Sequence, residues 1–360
     1  MLKEIVKEGR YWLHKKDRDW LLGKHPLTTL FWECTLNCNF FCAHCGSCAG
    51  KNVFKNELTK EEILKTFKDI SSVYNASQIM IAVTGGEPLL RNDLFEIMKE
   101  AKSMGFHWGM VTNGYLLNKE SVKKLKDSGM ETATVSIDGI GKTHEELRRM
   151  PGSYKRAIDG IKLLAKENFV KHLQITTTVS KKNIPELEQM YIEFSKLPLH
   201  SWRVMNVDPI GRAEDSKELL LDDDEFKTLL DFIKQKRKEK GLTVTYGCAG
   251  YLGEYEGEVR DHYFYCLTGI TIGSILHNGD IFVCPNVPRN KDLIQGNVRK
   301  DNFVDIWENR FKVFRDRERT KCNKCSKCEH WEECLGNGYH IWDQERKEPK
   351  FCHLEKLGLK

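Results

Sequence analysis

Hydrophobic positions along the chain alternate between two kinds of segment, short runs rich in β-branched and aromatic residues and longer stretches with apolar residues at helical spacing. The first kind predicts strands at Leu27–Glu33, Gln78–Thr84, Phe106–Thr112, Thr132–Ile137, Leu173–Val179 and Trp202–Val207. The second kind predicts helices between them, near residues 60–74, 93–104, 119–128, 153–167 and 185–196. Repeated β-α units of this kind favour a parallel sheet with helices packed outside it.

Two charged segments interrupt this alternation. In residues 1–25, Trp12, Leu13 and Trp20 stand at roughly helical spacing, which predicts one or two leading helices. Residues 214–240 interleave leucines with many charged residues, which indicates a connecting helix at a domain boundary. The pattern therefore predicts a helical extension, an α/β unit and a further unit after the connecting helix.

Composition is typical of a globular protein, with 40% hydrophobic and 30% charged residues. The net charge is only +5, and basic residues are interspersed with acidic ones, so charge gives no argument for nucleic-acid binding. No apolar run is long enough to span a membrane, and the first residues lack the apolar core of a signal peptide. We expect a cytoplasmic protein that binds neither membranes nor nucleic acid.

The 13 cysteines fall into two groups. Five lie between Cys34 and Cys48, and eight lie from Cys248 onward. Because cytoplasmic thiols remain reduced, metal binding explains so many cysteines better than disulfides do. The sequence therefore predicts two metal regions separated by a segment without cysteine.

Cys38, Cys42 and Cys45 form a C-x3-C-x2-C array on one short segment. Three thiolates spaced in this way can hold three irons of a [4Fe–4S] cluster and leave the fourth iron open to a chelating ligand. A zinc site is the alternative, although structural zinc more often has four ligands in paired C-x2-C elements. A disulfide knot does not suit a reducing compartment.

The segment from Thr35 to Cys45 resembles the signature of the radical S-adenosylmethionine (SAM) enzymes. The resemblance implies a partial (β/α)6 barrel and an open iron that chelates the amino and carboxyl groups of SAM. The reduced cluster would then cleave SAM to methionine and a 5′-deoxyadenosyl radical, which abstracts hydrogen from a substrate. His44 stands where the family usually has an aromatic residue, and its imidazole is also a flat ring.

Further motifs at the predicted strand ends extend the resemblance. Gly85, Gly86 and Glu87 follow the second strand and resemble the family's motif for the amino group of SAM. Two glycines allow close approach of the backbone to a ligand, and a carboxylate accepts hydrogen bonds from an ammonium group. By the same resemblance, Ser136 and Asp138 line the ribose and methionine ends of SAM.

An arginine for the carboxylate of SAM is also implied, because a guanidinium matches carboxylate geometry. Arg148 stands at the family's position, and Arg149 beside it is the alternative.

The C-terminal third contains a four-cysteine set, Cys325, Cys328, Cys334 and Cys352. Cysteine chemistry alone leaves structural zinc and an iron–sulfur cluster open here. Together with upstream positions, the set resembles the SPASM domain, a small α+β module that binds auxiliary iron–sulfur clusters. The resemblance assigns these four residues to the outer auxiliary cluster.

The inner auxiliary cluster is less complete in this chain. The resemblance gives it Cys266 and Cys284, with Cys248 as a third candidate ligand. A further family cysteine is replaced by Gly338. The inner cluster is therefore either present with an open iron or absent.

The resemblance divides the chain into an N-terminal extension over the barrel (1–25), the radical SAM core (26–213), a connecting helix (214–242) and the SPASM-like domain (243–360). At a finer level, the chain resembles a SPASM subgroup that is encoded beside small lipoproteins in gut anaerobes. A peptide or protein substrate and a low-potential donor such as flavodoxin or ferredoxin are implied.

Three other functions remain open. A sulfatase-maturase-like enzyme is disfavoured because Pro285 stands where the maturases carry an Asp that acts as a base. A small-molecule radical SAM enzyme and a non-catalytic zinc-binding interaction protein are the others.

Overall fold

The computed structural model describes residues 2–51, 56–247 and 250–360, with side chains from residue 9 onward. The strands are β1 (Thr29–Thr35), β2 (Met80–Gly85), β3 (His107–Thr112), β4 (Thr132–Ser136), β5 (His172–Val179), β6 (Ser201–Asn206), β7 (Thr243–Tyr246), β8 (Ile272–Ile275), β9 (Asp280–Phe282), β10 (Gly296–Asn297), β11 (Trp342–Asp343) and β12 (Glu348–Pro349). The α-helices are α1 (Leu2–Lys24), α2 (Lys60–Val73), α3 (Leu94–Ser103), α4 (Lys119–Asp127), α5 (Lys142–Arg148), α6 (Ser153–Lys166), α7 (Leu187–Phe194), α8 (Asp223–Lys236), α9 (Phe303–Asn309), α10 (Lys312–Arg315), α11 (Trp331–Cys334) and α12 (His353–Lys356).

The main sheet has the strand order β10-β9-β8-β1-β2-β3-β4-β5-β6-β7. Neighbouring strands from β8 through β7 are parallel, and β8, β9 and β10 pair antiparallel. The six predicted strands are confirmed as β1 to β6, and the five predicted helices as α2, α3, α4, α6 and α7. The predicted α/β fold is therefore confirmed, whereas the sequence reasoning missed α5 and β7.

Local sequence explains why β1 and α2 form and pack together. Leu30, Trp32 and Cys34 alternate along β1 and are fully buried. At the start of α2, Glu62 N–H donates to Thr59 Oγ1 (3.2 Å), and Thr59 N–H donates to the Glu62 carboxylate (2.9 Å), which forms a capping box. The ring of Phe67 in α2 meets the ring of Trp32 edge-on at 5.8 Å, so the helix is fixed on the strand that leads into the cysteine array.

The C-terminal part is joined to the same sheet. Strand β8 pairs with β1 from Thr29 opposite Ile272 to Trp32 opposite Ile275. A hairpin through Asn278 and Gly279 joins β8 to β9, with four residues between the strands. Strands β7 and β8 thus extend the sheet beyond residue 213, and the domain boundaries stay a prediction.

Helix α1 does not lie over the barrel as expected. Its Arg18 donates to the Glu332 carbonyl (2.7 Å), and the Tyr11 ring lies 5.8 Å from that of Tyr263. These contacts belong to the C-terminal cysteine-rich part, because the inward face of α1 covers its small apolar core. None of the described helices is long and apolar enough to cross a bilayer.

Candidate functional site

The carboxyl ends of β1 to β4 meet at one edge of the sheet, as parallel strands require. A cavity of about 150 Å³ opens there, and the thiols of Cys38, Cys42 and Cys45 all line it. Burial raises the pKa of Cys38 to about 12 and also raises the pKa of Cys42, so a metal that binds these two thiols must displace their protons. The donor set consists of three thiols on one wall, which fits a cluster with one open iron.

Gly85 and Gly86 form part of the wall of the same cavity. A Cβ on Gly85 would lie 2.1 Å from the Thr35 carbonyl oxygen, and one on Gly86 would lie 2.1 Å from the Asn37 carbonyl oxygen. Gly86 N–H donates to the Thr35 carbonyl (2.8 Å). Only glycine therefore allows the end of β2 to approach the start of the cysteine segment this closely.

Glu87 lies behind this wall rather than on it. Its side chain is 0% exposed, and it accepts hydrogen bonds from Thr112 Oγ1 and Asn113 N–H, each at 2.8 Å. Burial raises the pKa of Glu87 to about 6, although these hydrogen bonds oppose the shift. Glu87 therefore joins the ends of β2 and β3, and it is Thr112 and Asn113 that border the cavity.

A buried cluster of charge lies beside the thiols. The Asp138 carboxylate, 0% exposed, lies 2.6 Å from Arg148 Nε and 2.9 Å from His44 Nε2. Burial alone would raise the pKa of Asp138, but Arg148 and His44 outweigh it and hold the pKa below its ordinary value. Thr178 N–H donates to the other carboxylate oxygen (2.8 Å). Asp138 and His44 thus connect β4, β5 and the cysteine segment.

Arg148 is placed in the cavity, whereas Arg149 is exposed at the end of α5. Arg148 Nη1 lies 3.8 Å from Cys42 Sγ. Ser136 also lines the cavity. Of the residues predicted for SAM, Gly85, Gly86, Ser136 and Arg148 therefore face the cavity; Glu87 does not, and Asp138 and His44 support it from outside.

Sequence reasoning missed Arg212, which holds the cysteine segment from the β6 side. Its Nε donates to the Cys42 carbonyl (2.7 Å) and its Nη1 to the Ala49 carbonyl (2.9 Å). The guanidinium carbon lies 4.1 Å from the centre of the Phe41 ring, and Arg212 borders the cavity. The only sequence signal was Gly211-Arg212 after the sixth strand, at the edge where functional residues of parallel folds collect.

The outer cysteine set is gathered around short helices. Burial raises the pKa of Cys325 to about 11, with Lys360 opposing and Cys352 and Cys328 adding to the shift. Cys334 is raised to a pKa of about 12 by burial, with Cys352 again contributing. The four predicted ligands are thus electrostatic neighbours. Within residues 2–51, 56–247 and 250–360, no three Cys, His, Asp or Glu side chains converge closely enough to hold a single metal ion.

The two described inner cysteines, Cys266 and Cys284, are also neighbours. Burial raises the pKa of Cys284 to about 11, and Cys266 adds to the shift. Cys248 lies outside the described residues. The side chain of Arg317 is buried, and its charge lowers the pKa of both Cys266 and Cys334. Its Nε and Nη1 have no hydrogen-bond partner among the described residues. A buried cation with unsatisfied donors suits a negatively charged group such as a thiolate-bound iron–sulfur cluster.

A larger open cleft of about 590 Å³ lies between the two cysteine regions. One side is formed by Gly46, Ser47 and Cys48, directly after the cysteine array, and the other by residues 285–290 after Cys284. Arg289 borders the cleft and is paired with the buried Glu33 carboxylate. The cleft can therefore admit a substrate between the first cysteine array and the C-terminal part.

Comparison with known proteins agrees with this arrangement. Residues 32–192 match the radical SAM superfamily, and residues 266–329 match SPASM, an iron–sulfur cluster-binding domain. The AdoMet-dependent heme synthase of Methanosarcina barkeri is 32% identical over 342 residues, covering 89% of this chain and 95% of that protein. The mycofactocin maturase MftC of Mycolicibacterium smegmatis is 27% identical, covering 85% of this chain and 76% of that protein.

Among solved structures, Streptococcus suis SuiB bound to its precursor peptide SuiA superposes with a TM-score of 0.66 at 19% identity, covering 89% of this chain and 74% of that chain. At this identity the similarity supports the fold alone. The relatives in sequence are enzymes that require a [4Fe–4S] cluster and SAM, and SPASM domains bind auxiliary iron–sulfur clusters. The chain therefore belongs to the radical SAM superfamily and is an enzyme with a C-terminal SPASM domain.

Proposed function

We propose that this enzyme binds its SAM-cleaving [4Fe–4S] cluster on Cys38, Cys42 and Cys45 and uses the resulting radical to modify a peptide or protein. The assignment of the SAM-cleaving cluster to these three cysteines rests on one cavity. Its lining includes the three thiols together with Gly85, Gly86 and Arg148. When bound, the reduced cluster and SAM supply the 5′-deoxyadenosyl radical that abstracts hydrogen from the substrate.

The protein's own residues would bind and orient SAM. Arg148 offers positive charge to the SAM carboxylate, and Asp138 fixes its guanidinium at 2.6 Å. Gly85 and Gly86 leave backbone at the wall of the cavity, where no side chain intervenes. Ser136 and Asn113 add polar groups to the same wall. Glu87 and Arg212 act indirectly, because they hold the neighbouring segments in place.

The outer auxiliary cluster would bind Cys325, Cys328, Cys334 and Cys352, and the inner one Cys266 and Cys284. These clusters would accept an electron from the substrate radical or bind the substrate, and a flavodoxin or ferredoxin would supply the electron that starts each turnover.

The open cleft supports a peptide or protein substrate. It combines acidic groups (Glu214, Asp343 and Glu345) with basic ones (Arg289 and Lys350) and lies open to solvent between the two cysteine regions. Charged groups of both signs offer ion-pair and hydrogen-bond partners to a chain with many polar groups. The maturase name of MftC is consistent with that class of substrate.

A second candidate is a tetrapyrrole, because the heme synthase of M. barkeri is 32% identical over most of both chains. Such a substrate is a flat macrocycle with several carboxylates and would need cations free to bind them. Both cations of the cleft are already paired, Arg289 with Glu33 and Lys350 with Glu214. The charge of the cleft therefore favours the peptide.

Anaerobic reconstitution tests whether Cys38, Cys42 and Cys45 bind the cluster that cleaves SAM. With dithionite and SAM, we expect the wild-type enzyme to form 5′-deoxyadenosine and the Cys42→Ala variant to form none. Cys322→Ser is the matched control, since its thiol lies against the Arg319 and Lys347 carbonyls and not in the cavity. Formation of 5′-deoxyadenosine by Cys42→Ala at the wild-type rate would disprove the assignment.

Substrate class is tested separately. Mass spectrometry of candidate peptides after turnover should reveal a mass change that requires SAM. Decarboxylation of an iron–porphyrin, followed by its absorption spectrum, without any modified peptide would favour the tetrapyrrole instead.

A further inference from the structure

Phe41 is exposed although it lies on the short segment between Cys38 and Cys42. The residue is 53% exposed, and two guanidinium groups lie over its ring, that of Arg212 at 4.1 Å and that of Arg149 at 5.7 Å from the ring centre. Aromatic residues and arginine are enriched on the surfaces by which proteins bind one another. The outer side of the cysteine segment therefore has the composition of a protein-binding surface.

A third arginine extends the positive charge along the same segment. The Arg156 guanidinium carbon lies 5.3 Å from the centre of the Tyr115 ring, and Tyr115 packs edge-on against Phe40, with the ring centres 5.6 Å apart. Arg149 and Arg156 are both exposed, and no carboxylate pairs with either of them among the described residues. Their charge is therefore available to a partner.

An open groove of about 510 Å³ continues this surface from Arg149. Lys142 and Lys182 border the groove together with Glu145 and Glu146, and Lys142 pairs with Glu146 at 3.5 Å. With the three arginines included, basic groups outnumber acidic ones around Phe41 and the groove. The surface is therefore complementary in charge to an acidic protein.

Met150 connects the groove with the first cysteine array. Its side chain lines the groove and packs against the small apolar cluster that contains Cys38, Phe40 and Cys42. The open cleft between the two cysteine regions shares none of its described lining residues with this groove. A protein docked at the groove would therefore lie close to the first cysteine array and leave the cleft free for substrate.

We propose that Phe41, Arg149 and Arg156 form the docking site for a small acidic electron-transfer protein. In each encounter one electron passes from that protein to the cluster on the first cysteine array, so the donor is oxidised by one electron and no covalent bond forms. Contacts between electron-transfer partners are small and transient, and complementary charge sets how fast they form. The inference rests on the proposed function, because it requires a reducible cluster at the first array, and it adds the surface that receives the donor.

Comparison of protein donors with a small reductant tests the docking site. Formation of 5′-deoxyadenosine is measured with reduced flavodoxin, with reduced ferredoxin and with dithionite, which needs no docking surface. We expect Arg149→Glu and Arg156→Glu each to lower kcat/KM for the protein donor by about tenfold or more at low salt. The rate with dithionite should stay unchanged, because neither residue lines the cavity at the strand ends.

Two variants and a salt series serve as controls. Arg149→Lys keeps the charge and should retain most of the activity with the protein donor. Arg310→Glu reverses the charge of an exposed arginine at the end of α9 and should change neither rate. Added salt should slow the reaction of the wild type with the protein donor more than that of Arg149→Glu, because salt screens interactions between exposed charges.

Binding measured without SAM separates docking from chemistry. Fluorescence anisotropy of labelled flavodoxin and ferredoxin gives the Kd for the cluster-loaded enzyme and its variants. Phe41→Ala keeps every charge and should still weaken binding by about fivefold or more, which attraction between charges alone does not explain.

Three outcomes would overturn the proposal. They are unchanged donor kinetics and binding in both Arg149→Glu and Arg156→Glu, an equal loss of the rate with dithionite in these variants, and no binding of either donor protein by the wild type. Failure of the wild type to cleave SAM with dithionite would instead refute the proposed function, and the anisotropy measurement would still decide whether the donor docks at this surface.

Discussion

The cavity at the strand ends and the C-terminal cysteine region both bury charge beside thiols, but they balance it differently. In the cavity, the Asp138 carboxylate pairs with Arg148, lies 2.9 Å from His44 Nε2 and accepts a hydrogen bond from a backbone donor, and Glu87 has three donors. In the C-terminal region, two nitrogens of the buried Arg317 have no hydrogen-bond partner among the described residues. The buried Arg148 of the cavity thus has a carboxylate partner, Asp138, whereas no carboxylate pairs with Arg317 among the described residues.

The protein core beneath the two sites also differs in size. The cavity is built on the ends of parallel strands over a large continuous core. The outer cysteines lie among helices of only four residues, such as α11 and α12, over a small separate core that includes Cys325, Trp331 and Leu335. A core of that size stabilises little by itself. The comparison therefore leads us to expect that a cluster on the first cysteine array is added to a stable fold, whereas a cluster on the outer cysteines contributes to folding.

The largest expected effect follows from this difference. Cys325→Ser should remove the outer cluster and unfold residues 322–360, because cluster binding supplies much of the folding free energy there. Limited proteolysis should then cleave the C-terminal region within minutes, while Cys42→Ala, which loses only the first cluster, should remain resistant. Equal resistance of the two variants would show that the outer site does not support its surroundings.

A smaller effect is expected in the cavity. Asp138→Asn leaves Arg148 buried without its anion, which costs about 3–5 kcal/mol of unfolding free energy. Denaturant unfolding measures the loss, and Arg149→Gln, at the exposed neighbouring position, should change stability by no more than about 0.5 kcal/mol. A loss below about 1 kcal/mol for Asp138→Asn would mean that the surrounding hydrogen bonds, rather than the ion pair, stabilise this cluster.

The smallest predicted effect concerns pH. Burial raises the pKa of Glu87 from 4.5 to about 6, so between these values the folded state binds more protons than the unfolded state. The Glu87 contribution to the unfolding free energy should therefore fall as pH rises from 4.5 to 6, by roughly 2 kcal/mol in total.

Thermal unfolding of wild type and Glu87→Gln between pH 4.5 and 7 isolates this contribution, because the glutamine cannot titrate. The two pH profiles should diverge in that window and run parallel above it. Parallel profiles throughout would show that Glu87 keeps its ordinary pKa.

The sequence by itself determined the repeating framework and the cysteine array. Strands β1 to β6 and the helices between them follow from apolar periodicity, because each buries one face against its neighbours in sequence order. Cys38, Cys42 and Cys45 could be grouped because ligands four and three residues apart must lie close together on any short segment. The Gly85-Gly86 pair was recognisable by its position after the second predicted strand, although the contacts that require glycine there are with the distant Thr35 and Asn37 carbonyls.

Only the tertiary structure decided which distant groups meet. Three contacts join residues far apart in sequence. They are the pairing of β8 with β1, the contact of α1 with the C-terminal region, and the hydrogen bond from Arg212 to the Cys42 carbonyl. Glu87 and Arg317 show the same for charge, because the Glu87 carboxylate is buried against Asn113 and the Arg317 guanidinium against the Asn337 carbonyl. Burial and partners depend on how the elements pack, and neither is encoded in the identity of a single residue.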